Sequence, residues 1–443
     1  MKRGWFFGRV ILAACLAAAW PCSARADDKK PEEYWEPGII PAVNYDSDIG
    51  FGFGAIGSLA RFEPGYEPFR ARLEAQVFLS VAVDAAGDAS VPHHDDYLKF
   101  DLPGLLEDRL RLGGGLFFRK LASCGYYGIG QLSTEKEFSD RELEESLQAR
   151  RYHLYDHMSA GADLLGRTTL VELPRKVGDA PRLELLTGLH GSFQSVTAYP
   201  HSRLSEDLAR ARDVAAPGAS EDPDALQLAS LLHGVGSYGV FATDIGLLFD
   251  DRDHEFWPTR GSLTELSLQG AVATVEEMRF VRLHASTRWF VPLVKKDGAL
   301  VVGHRLAADF IFGDAPVYEL GALGNFEPID GPGGAKSVRG VPLGRLFGKT
   351  KLLANLELRA QAPWFTLFGE RWRFGFIAFV DAGRVWSDLP PASNLDGPWS
   401  PFDVGAGGGL RLRWGETLVL RADAGYSPTR DSYGVYIDIG QVF

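Results

Sequence analysis

The sequence predicts an all-β fold, a transmembrane antiparallel β-barrel of about sixteen strands. Three observations support this fold class. Segments of roughly ten residues alternate apolar and polar side chains, as strands do between lipid and a wet lumen. After residue 26 no stretch approaches ~18 uninterrupted apolar residues, which leaves a closed barrel as the remaining way to span a membrane. Long polar connections recur at every second position between the alternating segments, as in up-and-down barrels.

The first 26 residues have the features of a secretory signal peptide. Lys2, Arg3 and Arg9 supply the basic start, residues 10–20 are apolar, and Ala24-Arg25-Ala26 is a small-x-small cleavage site. We therefore predict cleavage after Ala26 and export. Residues 27–38 are expected to form a short periplasmic tail, and residues 39–443 the barrel.

The charge balance excludes one class of partner. The chain carries 46 Lys and Arg against 58 Asp and Glu, a formal net charge of −12, and loss of the signal would make it more acidic. Affinity for nucleic acid comes largely from Lys and Arg that neutralise phosphates, so no nucleic-acid partner is expected. Of the three cysteines only Cys124 would remain after cleavage, which leaves no internal disulfide.

The clearest alternation lies in three segments near the C-terminus. In residues 351–362 one face is formed by Leu352, Ala354, Leu356, Leu358, Ala360 and Ala362, and in residues 403–414 and 418–426 apolar side chains likewise share one face. The opposite faces carry Lys351, Asn355, Glu357, Arg359, Gln361, Asp403, Arg411, Arg413, Arg421 and Asp423. A soluble sandwich also alternates, but its apolar face needs a second sheet as cover. These polar faces are therefore predicted to line a lumen.

Residues typical of turns and loops separate the predicted strands. Short hairpin turns are predicted at residues 46–50, 295–298 and 431–434, where Asp, Lys and Gly cluster. Longer polar segments are predicted as surface loops at residues 83–96, 131–152, 202–237, 314–350 and 390–398.

No catalytic, cofactor or metal site is predicted. Residues 52–57 match the dinucleotide pattern G-x-G-x-x-G, but the motif needs a following helix and these residues continue as a strand. His93 and His94 are adjacent, so in a strand they would point to opposite faces, and a polar loop tip is the favoured interpretation. No nucleophile is paired with a base. We expect the chain not to be an enzyme.

Three segments are similar to motifs of a known protein family. Val338-Arg339-Gly340 follows a glycine-proline run in a long loop, Glu357 lies on the next strand, and Phe379-Val380-Asp381-Ala382-Gly383 is on the strand after it. Both acids fall on the polar face. A fourth segment combines Asp250, Arg252 and Asp253 with Pro258 and Gly261 at a predicted periplasmic turn, where these residues shape the chain locally.

Together these segments resemble the barrel of the BamA/TamA superfamily, the bacterial surface antigen family of Gram-negative outer membranes. The resemblance implies that the sixth external loop folds into the lumen with Val338, Arg339 and Gly340 at its tip. Its docking partners would be Glu357, Phe379, Asp381 and Gly383. Val341 stands where an aromatic is usual. Phe443 matches the C-terminal aromatic of the family's assembly signal, and Val435, Ile437 and Ile439 share its predicted face.

Family members usually carry periplasmic POTRA domains, and only residues 27–38 precede the first predicted strand, so a POTRA-less member is expected. The resemblance implies insertion or translocation of outer-membrane proteins through a lateral seam between the first and last strands. Pro41 cannot donate a ladder bond and Gly440 weakens the last strand, so the seam is placed at Pro41, Val43, Ile437 and Gly440. Expected partners are outer-membrane lipids, nascent outer-membrane proteins and accessory lipoproteins. A passive or structural barrel plugged by its loop is the alternative.

Overall fold

A computed structural model describes residues 33–46, 50–64, 69–83, 89–173, 181–214, 222–275, 278–294, 298–326, 328–367, 370–391, 393–399, 401–414 and 418–443. The predicted signal peptide lies outside these residues and stays a prediction. None of the helices within them is long and apolar enough to cross a membrane.

Within the described residues, sixteen antiparallel strands form the wall. They are β1 (Tyr34–Asp46), β2 (Gly50–Phe62), β3 (Ala71–Val83), β4 (Ala89–Gly104), β5 (Leu110–Gly125), β6 (Leu154–Glu172), β7 (Arg182–Ala198), β8 (Gly236–Asp250), β9 (Gly261–Ala273), β10 (Arg279–Val294), β11 (Leu300–Gly313), β12 (Thr350–Gln361), β13 (Glu370–Trp386), β14 (Asp403–Trp414), β15 (Leu418–Ser427) and β16 (Ser432–Ile439). Each strand pairs with the next, and β16 pairs with β1, which closes the ring. A short segment, Phe365–Leu367, extends the line of β12 along β13. The predicted barrel is confirmed.

Alternation sorts the side chains between lipid and lumen as expected. On β12, Leu356 is 51% exposed on the outer face, whereas Glu357 is fully buried on the inner face. On β14, Leu410 lies outside while Arg411 and Arg413 are buried inside. Because side chains of a strand alternate between its two faces, one polar residue in two is enough to line the lumen.

Antiparallel pairing places the connections at two ends of the barrel. The end formed by residues 126–153, 199–235, 314–349 and 387–402 is called the loop mouth, and the end that contains residues 105–109 and 251–260 is called the turn mouth. Six helices of the described residues lie at the loop mouth: α1 (Asp140–Glu145), α2 (Leu147–Arg151), α3 (Arg203–Asp213), α4 (Pro223–Leu231), α5 (Val317–Leu320) and α6 (Ser393–Asp396). One further short helical segment, Leu105–Asp108, lies at the turn mouth. Ser139 and Ser202 cap α1 and α3 through their hydroxyls.

The largest apolar core also lies at the loop mouth. Tyr126, Leu204, Leu231, Val317 and Phe347 pack there with almost no exposure. Burial of this apolar surface, contributed by three separate loops, stabilises a cover over one end of the lumen.

Two predicted boundaries are wrong. β1 begins at Tyr34, so the last five residues of the predicted tail, 34–38, belong to the wall. β4 begins at Ala89, so most of the predicted loop over residues 83–96 is strand, including His93 and His94. Polar residues are tolerated there because they are paired. Asp95 accepts a 2.9 Å bond from Arg119 on β5, and Asp96 accepts a 3.0 Å bond from the main-chain N–H of Phe78.

Candidate functional site

The sixth loop, residues 314–349, is anchored near its start. Helix α5 carries Glu319, whose carboxylate binds the buried guanidinium of Arg282 on β10. Asp309 on β11 accepts a 3.0 Å bond from the main-chain N–H of Gly324. Lys351 on β12 donates a 3.2 Å bond to the carbonyl of Glu319. Polar side chains from three strands thus fix the loop where it enters the lumen.

Arg339 at the loop tip is fully buried and surrounded by three carboxylates. Its Nε and Nη2 atoms reach the two oxygens of Asp381 at 2.8 and 3.0 Å, a bidentate pair, and its main-chain N–H donates to the same carboxylate at 3.1 Å. Nη1 lies 2.8 Å from Glu357 and 3.4 Å from Asp423. The guanidinium carbon sits 3.5 Å from the centre of the Phe379 ring. The tip is therefore held by charge-assisted bonds and by a cation–π contact.

The surrounding charges form a network. Glu357 also pairs with Arg359 at 2.8 Å, and Asp423 binds Arg411 at 2.6 Å and Arg421 at 3.2 Å. All of these side chains are buried on the inner face of β12, β14 or β15. Removing one partner would leave a buried charge without compensation, which makes such networks costly to break.

The wall has small residues where the tip approaches. Gly340 has a φ of +97°, a backbone conformation that residues with a side chain rarely adopt. A Cβ at Gly405 on β14 would collide with the main-chain oxygen of Arg339, and one at Gly383 on β13 would lie 2.7 Å from Val338. Gly340 and Gly405 therefore allow loop and wall to meet backbone to backbone, and Gly383 leaves room for the Val338 side chain.

Val341, which replaces the usual aromatic, is fully buried. It packs with Val338, Leu323 and Leu353 in a small apolar cluster beside the tip. The aliphatic side chain thus still makes an apolar contact in this chain.

The tip is bonded to the last strand as well. The main-chain N–H of Gly340 donates to the Tyr436 hydroxyl at 3.1 Å, and the Ser432 hydroxyl donates to the carbonyl of Gly340 at 2.7 Å. Asn355 on β12 donates to the carbonyl of Ser337 at 2.6 Å and to Asp381 at 2.7 Å. Loop position and the position of β16 are consequently linked.

Sequence reasoning did not identify Asn355, Asp423, Ser432 or Tyr436 as partners of the tip. Asp423 had a signal, since it lies on the polar face of a predicted strand, but its distance in sequence from residue 339 hides the contact. Tyr436 had a weaker signal: it lies opposite the face of Val435 and Ile437, but tyrosine is also common in the aromatic girdle of a barrel, so its residue type did not indicate an inward role.

Outside the membrane-spanning strands, polar contacts close the loop mouth. Arg345 donates to Ser133 and to its carbonyl at 2.6 and 2.5 Å, and burial together with the nearby Arg430 lowers the pKa of Arg345 to about 10. The Tyr126 hydroxyl donates to Asp207 at 3.1 Å, and burial raises the pKa of both groups. Three loops are joined by these contacts.

The motif at residues 250–261 forms the β8–β9 turn. Asp250 binds Arg252 through Nε at 2.9 Å and Nη2 at 2.8 Å. Asp253 accepts bonds from the main-chain N–H groups of Thr259 and Arg260, the two residues that follow Pro258, at 2.8 and 3.2 Å. Gly261 has φ of +95° and leads into β9. These residues lie together at the turn mouth, far along the chain from the loop tip.

The C-terminal residues depart from the predicted pattern. β16 ends at Ile439, and Gly440 has φ of +93°, which breaks the alternation. Phe443 turns into the lumen instead of sharing the outer face of Ile437. It packs on Phe290, and its main-chain oxygen accepts a 2.9 Å bond from Arg359. The prediction of a shared face is wrong because left-handed backbone at Gly440 redirects the chain.

The seam between the first and last strands has little pairing. In the part of the chain that the structure describes, β1 meets β16 at Tyr45–Ile437 and Asp46–Tyr436 alone. The neighbouring pair β15–β16, in contrast, runs from Leu420–Ile439 to Ser427–Ser432. Pro41 and Val43 lie on β1 and pair with β2, not with β16.

Metal-ligand residues do not cluster among the described residues: no group of three or more His, Cys, Asp and Glu could hold an ion there. The predicted absence of a cofactor stays a prediction.

Comparisons with known proteins agree with this geometry. BamA from Haemophilus ducreyi lacking POTRA domains 1–3 has the same fold, with a TM-score of 0.54 and 15% identity over 91% of this chain and 70% of that one. CdiB from Escherichia coli gives a TM-score of 0.53 and 13% identity over 94% of this chain and 63% of its own, so the chain spans less than two thirds of that protein. No curated protein matches this sequence. The Omp85 superfamily domain matches residues 180–443, more than half of the chain, and the protein belongs to the Omp85 superfamily.

Proposed function

We propose that this outer-membrane barrel assists the insertion or translocation of outer-membrane proteins through a lateral gate at the β1–β16 seam. The observation that carries the proposal is the short pairing of the seam. Residues 35–44 of β1 have no strand partner on the β16 side within the described residues. Lipid cannot satisfy an open strand edge, so such an edge favours pairing with an incoming strand.

The loop tip supports the same proposal. Gly340 is bonded to Ser432 and Tyr436, and Tyr436 is one of the two residues of β16 that pair with β1. A docked tip therefore holds the strand that forms one side of the seam. Nascent outer-membrane proteins would be the clients, and lipids and accessory lipoproteins the further partners. The absence of POTRA domains stays a prediction.

The alternative is a structural barrel or passive pore plugged by its loop. Its support is the dense filling of the lumen by the loop tip and by Phe443, whose side chains are buried. An inserter must open the seam while it works, whereas a plugged barrel loses nothing when the seam is sealed. The two functions can therefore be separated by a reversible lock.

The experiment is a disulfide across the seam. Tyr45 and Ile437 are direct partners in the antiparallel register, so their Cα atoms fall within bridging range. Cysteines replace both residues in a Cys124→Ser background, and Ala424→Cys with Val435→Cys places a matched lock between β15 and β16. The barrel is reconstituted in liposomes, and the rate at which unfolded outer-membrane proteins insert is measured.

We expect oxidation of the seam lock to abolish the assisted insertion, reductant to restore it, and the β15–β16 lock to have no effect. Equal insertion by the oxidised and reduced seam-locked barrels would contradict the lateral gate and favour the plugged barrel.

A further inference from the structure

The β8–β9 turn, residues 251–260, crosses the turn mouth of the barrel. Its Trp257 is only 2% exposed, although the two residues before it, Glu255 and Phe256, are exposed. The Trp257 ring faces the inner wall of strands that lie well around the barrel from β8 and β9. The Arg413 guanidinium on β14 lies 4.9 Å from the ring, and a Cβ at Gly375 on β13 would be 3.3 Å from it.

Other parts of the turn contact the rest of the rim. Glu255 lies 4.0 Å from Arg111 on β5, on the opposite side of the mouth from Arg413. A Cβ at Gly298, which precedes β11, would be 2.6 Å from the Thr259 side chain. The turn thus reaches three separate positions on the rim.

The turn is also stiffened internally. His254 Nδ1 accepts bonds from the main-chain N–H groups of Phe256 and Trp257, both at 3.1 Å. Arg252 donates to the carbonyl of Glu255 at 3.1 Å. These bonds fix the direction of Trp257 relative to the two strands, so the turn can move as a unit.

We propose that residues 251–260 form a strap that closes the turn mouth, with Trp257 as its latch against Gly375 and Arg413. Among the described residues the buried indole N–H of Trp257 has no acceptor, which makes the closed position less favourable than a fully bonded one. The strap swings outward when solute or polypeptide passes between the lumen and the compartment on that side. A pore and an inserter would both need this step, so the strap does not depend on the lateral gate.

The strap also lies beside the C-terminal residues. Arg411 and Arg413 are consecutive inner-face residues of β14, and Arg411 donates a 3.1 Å bond to Gln441. Opening of the strap therefore uncovers the part of the lumen that Gln441 and Phe443 occupy.

The test measures access to the lumen behind the latch. Ile377 on β13 is buried on the inner face, one inward-facing position beyond Gly375 as seen from the turn mouth. Ile377→Cys in a Cys124→Ser background provides a thiol, whose reaction with a small charged maleimide is followed in the folded, liposome-embedded barrel. Trp257→Ala is compared with Trp364→Ala. Trp364 contacts the same Arg413 at 4.9 Å and is the matched control.

Trp257→Ala is expected to raise the labelling rate about tenfold or more, the change that corresponds to ~1.4 kcal/mol in the closing equilibrium. Trp364→Ala should leave the rate unchanged. Equal labelling rates in the two variants, or a Trp257→Ala rate equal to that of the parent, would overturn the strap proposal. Heat-modifiable gel migration confirms folding, and if either alanine variant does not fold, Trp257→Leu and Trp364→Leu replace the pair.

Discussion

At the residue scale, the docking of the sixth loop is most evident at Arg339. Its guanidinium is fully buried, and three carboxylates lie within 3.4 Å of it. Burial alone would disfavour the charge, so the site depends on bidentate geometry and on several partners at once. The exposed surroundings of an ordinary surface ion pair would give far less stabilisation.

We predict that Arg339→Ala destabilises the folded barrel by ~3–5 kcal/mol, because Glu357 and Asp381 lose a buried partner. Arg339→Lys should rescue only part of this loss, since an ammonium cannot form the fork. The measurement is the temperature at which the compact gel band converts to the unfolded one. Arg119→Ala is the control, because Arg119 also pairs with an acid on the inner wall but its side chain is 56% exposed. An Arg339→Ala barrel with the parent's transition temperature would show that the tip does not support the fold.

At the element scale, the strands could be predicted from the sequence, but most of the contacts that fill the lumen could not. Alternation predicted the inner faces of β12, β14 and β15 because it is a local property of each strand. The partners of Arg339 on β15 and β16 depend on how the loop enters a closed ring, which no local pattern encodes. The inward path of Phe443 rests on one positive φ at Gly440, which a glycine permits but does not require. The helices α3 and α4 were predicted only as parts of a loop, because each is stabilised by packing at the loop mouth.

The close approach of loop and wall gives a second prediction at this scale. Gly405→Ala places a Cβ against the main-chain oxygen of Arg339, so the tip must shift or undock, at a cost of ~1–3 kcal/mol. Gly270→Ala on β9 is the matched control, since a Cβ there meets nothing within 4 Å. Gel-shift transition temperatures of the two variants can be compared directly. A Gly405→Ala barrel as stable as the Gly270→Ala barrel would contradict backbone-to-backbone docking.

At the scale of the whole molecule, the lumen is filled unevenly. Inner-face side chains of β3 to β5 remain partly open: those of Arg72, Asp95 and Arg119 are 35%, 31% and 56% exposed. Those of Arg411 and Arg421 on β14 and β15 are at most 1% exposed. Polar groups that are half-exposed inside a barrel are solvated, so a wet space lies along β3 to β5, on the β1 side of the seam.

This asymmetry predicts which lumenal positions react with a water-soluble thiol reagent in the folded barrel. Arg119→Cys in a Cys124→Ser background should label readily, whereas Leu353→Cys, buried at 3% exposure beside the loop tip, should label only after heating. The two sites lie on inner faces of the same wall, so a difference reports packing and not membrane depth alone. If both label equally fast, the loop does not fill its half of the lumen. If neither labels, the space beside β1 is closed to water, and a client strand arriving at the seam would meet no wet lumen next to β1.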